Sequence, residues 1–231
     1  MGSRYFTPAT FRFLRELAAN NEKTWWEENK DRYVSVIREP ALAFIADLGA
    51  RLTEISPHLT ADTRANGGSL MRPYRDMRFA KGAPYKENVG IQFRHEAGAD
   101  IHAPGFYVHI EPGQSFAGAG IWRPPSGLAG RIRMAIHDDP AGWRKAARTA
   151  LFTDTWNLAE GEETRLKRIP SELRGGDHPF PEDLRLKSFT AGSRLTQRLV
   201  TSAGLVDELA DRFERAAPYT RFLCNAIGVS F

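Results

Sequence analysis

The hydrophobic period of this chain changes in its middle, and that change limits the folds open to it. In "NVGIQFRH", Val89, Ile91 and Phe93 alternate with Gly90, Gln92 and Arg94. In "GFYVHIEP", Phe106, Val108 and Ile110 alternate with Tyr107, His109 and Glu111. A period of two belongs to a strand with one face buried and the other polar. The connection from Glu96 to Pro104 is longer than a tight hairpin turn but suits antiparallel neighbours. "SFAGAGIW" reads as a third strand, with Phe116, Gly118, Gly120 and Trp122 on one face, and "LRLKSFT" as a further one.

Both flanks keep a helical period instead. Thr7 is a natural cap and Pro8 a natural first residue for a helix carrying Phe11, Leu14, Leu17 and Ala18. Asn20-Asn21 is expected to end it, asparagine tolerating the left-handed conformation found at such ends. Trp26, Asn29, Tyr33 and Ile37 mark a second helix, which Pro40 is expected to break before a third with Ile45, Leu48, Leu52 and Ile55. Beyond the strands come a helix with Leu128, Ile132 and Ile136, and another capped by Asp139 before Pro140. The charged stretch from Gly161 to Glu182 reads as loop. A last helix carries Val206, Leu209 and Phe213, with Pro218 expected to separate a short terminal one. With no repeat or linker in between, the expectation is a single α+β domain over residues 1–231. It has N-terminal helices, a central, mainly antiparallel sheet and C-terminal helices.

A chain of 231 residues, 42% hydrophobic and 26% charged, can bury a sizeable core and is not disordered. No apolar run approaches the ~20 residues that span a bilayer, and the start lacks the apolar stretch of a secretory signal. The lone Cys224 lies in the apolar "RFLCNAIG" and reads as packing. A cytoplasmic protein without a membrane partner is expected.

Positive charge concentrates in "MRPYRDMRFAKGAPYK". Arg72, Arg75, Arg78, Lys81 and Lys86 are interleaved with Tyr74, Phe79 and Tyr85, and Asp76 is the sole acid. Guanidinium groups offer a planar fork of donors suited to carboxylate or phosphate. Pro73 disfavours helix at Arg72, so a turn or single helical turn is expected to begin near it. The strands supply a second polar surface. With Phe106, Val108 and Ile110 inward, Tyr107, His109 and Glu111 face the other way, as do Gln92 and Arg94 on the preceding strand. His109 is a candidate acid or base near neutral pH, with Glu111 to orient it or share the role.

No phosphate loop, dinucleotide fingerprint, nucleophile elbow or His-Glu-x-x-His motif occurs. "HEAGADIH" holds His95, Glu96, Asp100 and His102 but lacks metal-site spacing, so no metal site is assigned.

The segments "NNEKTWWEENKDRY", "YRDMRFAKGAPYK", "YVHIEPG" and "GAGIWRP", in this order, resemble the DUF2461 family of conserved hypothetical proteins, a domain of unknown function. The resemblance covers most of the chain. It rests on Asn21, Lys23, Trp25, Arg75, Asp76, Arg78, Phe79, Pro84, Tyr85, Lys86, Glu111, Pro112, Gly120 and Trp122. It implies one cytosolic domain and carries over neither a reaction nor a cofactor. Trp26 stands where the family pattern leads one to expect Phe, and Pro73 where an aliphatic residue is usual.

Three classes of function follow. In the first, the protein binds, and in one version transforms, a small anionic ligand, a phosphate-bearing one among the candidates. Arg75, Arg78 and Lys86 would hold the anion, with Asp76 fixing one of the arginines. Tyr85 and Tyr107 would flank it, Arg94 would lie on the strand face, and His109 with Glu111 would move protons. In the second it binds nucleic acid, with rings stacking on bases, although a net charge of +4 is modest for that role. In the third the arginines are locked in internal ion pairs and the chain is a structural or interaction module. Cofactor and oligomeric state are not specified by the sequence.

Overall fold

The computed structural model describes residues 4–76, 82–99, 102–175 and 177–231. Helix α1, Pro8–Ala19, opens as its sequence demands: the Thr7 hydroxyl accepts from the Ala9 amide at 3.2 Å, and Thr10 Oγ1 accepts from the Thr7 amide at 3.1 Å. At its far end Asn20 is not left-handed (φ −135°). Its side-chain amide instead donates to the Glu16 carbonyl at 2.9 Å, which satisfies an end group without the special turn.

Helix α2, Lys23–Tyr33, does not stop at Pro40. It runs through a π-helical turn, Val34–Arg38, into α3, Glu39–Ile55. The expected break is absent because the group that proline deprives finds another donor. Pro40 cannot donate to the Val36 carbonyl, and Thr10 Oγ1 of α1 does so at 2.9 Å. Helix α3 buries Phe44, Ile45, Leu48 and Leu52 against the sheet and the last helix.

The strands are β1 (Leu59–Thr60), β2 (Val89–His95), β3 (Gly105–Ile110) and β4 (Phe116–Ile121). Helices α4 (Ser126–Asp138), α5 (Pro140–Ala147) and α6 (Ala150–Thr153) follow, and the Asp139 carboxylate caps α5 by accepting from the Gly142 amide at 2.8 Å. The described residues between Gly161 and Glu182 are mainly loop with short 3-10 turns, as expected. Strands β5 (Asn157–Leu158) and β6 (Phe189–Arg194) complete the sheet, and α7 (Gln197–Val200) and α8 (Leu205–Ile227) close the chain. The last strand thus starts later than "LRLKSFT" suggests; Asp183–Arg185 form a 3-10 turn, and Lys187 Nζ donates to the Glu163 carbonyl at 3.0 Å. Helix α8 is continuous over 23 residues and includes Pro218. Pro218 and Glu214 lie on the exposed side of the helix, while Phe213, Ala217, Tyr219 and Thr220 hold the opposite side in the core.

Among the described residues the strands form one six-stranded antiparallel sheet, ordered β1-β2-β3-β4-β6-β5. This is the α+β architecture the alternating segments indicated. One face buries Ile91, Phe93, Phe106, Val108, Ile110, Ala119 and Phe189 beneath the helices, and Phe106 stacks on Phe213 of α8 at 4.3 Å. The other face carries a cross-strand row of Gln92, Tyr107, Gly118, Gly192 and Asn157, none of it fully buried. Residues 69–71 lengthen the sheet beside β2: the Gln92 amide donates to the Ser69 carbonyl and the Met71 amide to the Gly90 carbonyl, each at 2.9 Å. No helix among the described residues is long and apolar enough to cross a membrane.

Candidate functional site

The basic segment is extended where it is described, not turned into a helix. Tyr74 pairs with Tyr85; the Arg75 amide donates to the Pro84 carbonyl at 2.8 Å, and the Lys86 amide to the Pro73 carbonyl at 2.7 Å. Asn21, just beyond α1, clamps this small ladder. Its Oδ1 accepts from the Tyr85 amide at 3.0 Å, and its Nδ2 donates to the Tyr85 carbonyl at 3.0 Å and to Glu87 Oε1 at 2.8 Å. The Tyr85 ring is buried and stacked on Trp26 with centroids 4.4 Å apart, and burial raises its phenol pKa. Arg75 Nε donates to that same Tyr85 carbonyl at 2.8 Å, and its terminal nitrogen lies 3.7 Å from Glu87. Asp76 is exposed and holds an interaction of its own. Arg78 lies outside the described residues. Half-buried Lys86 has its pKa lowered by burial first, then by Arg72 and Arg75.

Beside the ladder a cleft of about 380 Å³ opens between the α2–π-turn surface and residues 65–74. Trp26, Tyr33 and Tyr74 give it rings, and Lys30, Arg38 and Arg72 give it charge. Burial pushes the Tyr33 phenol up to about 12, with Arg38 opposing the shift from nearby. Lys30 reaches Glu27 only at 3.9 Å. The side chains of Arg38 and Arg72 make no hydrogen bond or ion pair with any described residue. Lys30 and Arg38 were not singled out by sequence. Helical spacing does not bring Tyr33 and Arg38 together; the π turn, with Pro40 after it as the only local signal, does.

On the open sheet face, Tyr107, His109 and Glu111 form a chain. Tyr107 Oη lies 3.1 Å from His109 Nδ1, and His109 Nε2 lies 2.7 Å from Glu111 Oε2. Three features hold it. Phe116, opposite His109 on β4, stacks on the imidazole at 4.8 Å and 16°. Asn88 Nδ2 approaches Nδ1 at 3.4 Å. Ser115 fixes the Glu111 backbone from both sides, accepting from its amide at 3.0 Å and donating to its carbonyl at 2.8 Å. Burial, then the Glu111 charge, raises the Tyr107 pKa. Arg94 points out at the opposite end of β2, beside Thr60, whose hydroxyl donates to the Arg94 carbonyl at 2.9 Å.

The sequence suggested one pocket with the basic segment facing the strands. Instead there are two neighbouring clusters. No hydrogen bond or ion pair among the described residues links Arg75, Lys86 or Arg94 to Tyr107, His109 or Glu111. Met71 joins the two areas: it lines the cleft, and its sulfur shares with the Tyr107 hydroxyl the space above Gly90. Elsewhere, His95 Nε2 donates to the Ser230 carbonyl at 2.7 Å, and Cys224 is buried, its thiol pushed up to about 12 by that burial.

The clamp around Tyr85 and the Glu111 turn gather residues that the family resemblance singles out, and the family model described as conserved hypothetical protein (DUF2461) matches residues 9–222. The chain belongs to this family. Neither the curated proteins nor the solved structures contain a match. In this DUF2461 chain, Asn21, Arg75, Pro84, Tyr85 and Lys86 meet in one ladder, and Glu111 ends the histidine chain. Gly120 lies at φ +113°, where an added Cβ would stand 2.0 Å from the Phe189 carbonyl oxygen.

Proposed function

We propose that this protein binds a small anionic ligand, of the phosphate or carboxylate class, in the cleft beside α2. Arg38 and Arg72 hold the anion, Lys30 adds charge at the rim, and Tyr33 and Tyr74 flank the bound molecule. The observation that carries this reading is the pair of cleft-lining arginines with no carboxylate partner among the described residues. Like charges gathered in one place repel, and an anion that accepts from both guanidinium groups relieves the repulsion. Lys86, its pKa lowered by burial first and then by Arg72 and Arg75, adds positive charge beside Arg72. In this reading Arg75, bonded to Tyr85, positions the ladder.

Thermal-shift screening and calorimetry with inorganic phosphate, sugar phosphates, nucleotides and dicarboxylates test the proposal. A charge-assisted hydrogen bond contributes about 1.5–3 kcal/mol, so Arg38→Ala and Arg72→Ala should each weaken binding about 10- to 100-fold. If no anion stabilises the wild-type protein more than it stabilises the double variant, the reading fails. Anisotropy with single-stranded oligonucleotides separates the nucleic-acid alternative, which requires steep salt dependence and rings open to bases.

A further inference from the structure

Both ring nitrogens of His109 are already engaged. Glu111 Oε2, which as a carboxylate can only accept, lies 2.7 Å from Nε2. Nε2 therefore carries a hydrogen, and in the neutral imidazole Nδ1 is the accepting nitrogen. Two donors converge on Nδ1: the Tyr107 hydroxyl at 3.1 Å and the Asn88 side-chain amide at 3.4 Å. The imidazole has no nitrogen left for a reactant, and Phe116 covers one of its faces. The tyrosine oxygen is different. It uses its hydrogen on Nδ1 and keeps lone pairs to spare, and it sits above a residue with no side chain. A Cβ at Gly90 would stand 2.8 Å from Tyr107 Oη and 2.9 Å from Met71 Sδ, so the hydroxyl is bordered on this side by a flexible thioether. Hydroxyl, imidazole and carboxylate thus stand in the order that activates a nucleophile in hydrolytic triads.

We propose that Tyr107 is a histidine-activated hydroxyl, the reacting group of a Tyr107–His109–Glu111 array that adds to small acyl-type electrophiles. His109 and Glu111 are positioning residues that act through it. In the step, Tyr107 Oη attacks the electrophilic carbon or sulfur, and the new O–C or O–S bond forms as the bond to the leaving group breaks. The leaving group departs with the bonding pair. The hydroxyl proton passes to His109 Nδ1, and Glu111 stabilises the resulting imidazolium through Nε2–H. The array uses none of the cations of the anion cleft, so either proposal can fail without the other.

The probe is benzenesulfonyl fluoride, which leaves a stable sulfonate ester on the oxygen that attacks it and releases fluoride. Peptide mass spectrometry of the intact, folded protein then compares Tyr107 with Tyr74. Tyr74 is 43% exposed, and its hydroxyl has no hydrogen-bond partner among the described residues. General-base assistance is worth at least about a hundredfold, so Tyr107 should be modified about a hundredfold faster than Tyr74. His109→Gln should remove that advantage, and Tyr107→Phe should abolish the adduct. Nitrogen-15 spectra of the imidazole should show the hydrogen on Nε2 in the wild type, and Glu111→Ala should lose that tautomer preference. Modification of Tyr107 no faster than Tyr74 in the wild-type protein overturns the proposal. So does an unchanged Tyr107 rate in a folded His109→Gln variant, or a hydrogen found on Nδ1.

Discussion

Replacing Thr10 by valine tests how a helix passes through Pro40 without breaking. Thr10 is fully buried, and its hydroxyl does two things: it donates to the Val36 carbonyl at 2.9 Å and accepts from the Thr7 amide at 3.1 Å. Valine keeps the shape and deletes both hydrogen bonds. Each is worth about 1 kcal/mol net, and stranding a partner away from water adds to that, so a loss of about 2–3 kcal/mol is expected. For a chain of this size the melting temperature should fall by roughly 5–10 °C. Urea unfolding followed by far-ultraviolet circular dichroism measures the change. The sharper test is a double-mutant cycle with Pro40→Ala, which restores a backbone donor next to the Val36 carbonyl. Thr10→Val should then cost about 1 kcal/mol less than in the Pro40 background. Equal costs in the two backgrounds would show that Thr10 does not stand in for the donor that Pro40 lacks.

Asn21→Ala removes the bonds that the Asn21 side chain makes to both backbone groups of Tyr85 and to Glu87. It should cost about 2–3 kcal/mol in urea unfolding and lower hydrogen-exchange protection of the Tyr85 amide. Unchanged protection there would contradict the clamp. Alkaline pH should destabilise the fold, because burial pushes the Cys224 thiol and the Tyr33 phenol up to about 12 and the Tyr219 phenol well above its ordinary value. Between the ordinary values of these groups, about 8.5 for a thiol and 10 for a phenol, and their folded-state values, the folded state binds more protons than the unfolded one. Stability is therefore fully present below this window and falls as pH rises through it. Urea midpoints that stay level from about pH 8 to pH 11 would refute the assignment.

The strand faces were legible because a period of two assigns each residue to a side before any neighbour is known. Ile91, Phe93, Phe106 and Val108 are buried, and Tyr107, His109 and Glu111 share the opposite face. The two prolines were misread for one reason. Sequence shows that proline withholds a donor, but not that Thr10 replaces it near Pro40 or that Pro218 lies on the exposed side of its helix. Arg75 illustrates the same limit. Its partners, the Tyr85 carbonyl and Glu87, become neighbours only once the ladder and its Asn21 clamp have formed. Arg38 was hidden by helical geometry: a regular helix sets Tyr33 with Ile37, and the π turn displaces that register.

Gly90 is where the two clusters become neighbours, and it explains why a strand interior tolerates a residue that weakens it. The Met71 amide donates to the Gly90 carbonyl, so the start of the basic segment is fixed by β2 itself. On the open face an added Cβ would stand 2.8 Å from Tyr107 Oη and 2.9 Å from Met71 Sδ, closer than either atom could accept without moving. A side chain at this position would push the tyrosine hydroxyl off His109 or the thioether off the sheet. In the first case the hydroxyl–imidazole–carboxylate chain opens; in the second, Met71 shifts and with it the wall that leads to Arg72 and the cleft. The absence of a side chain at Gly90 therefore lets the Tyr107 hydroxyl and the Met71 thioether share this face without displacement.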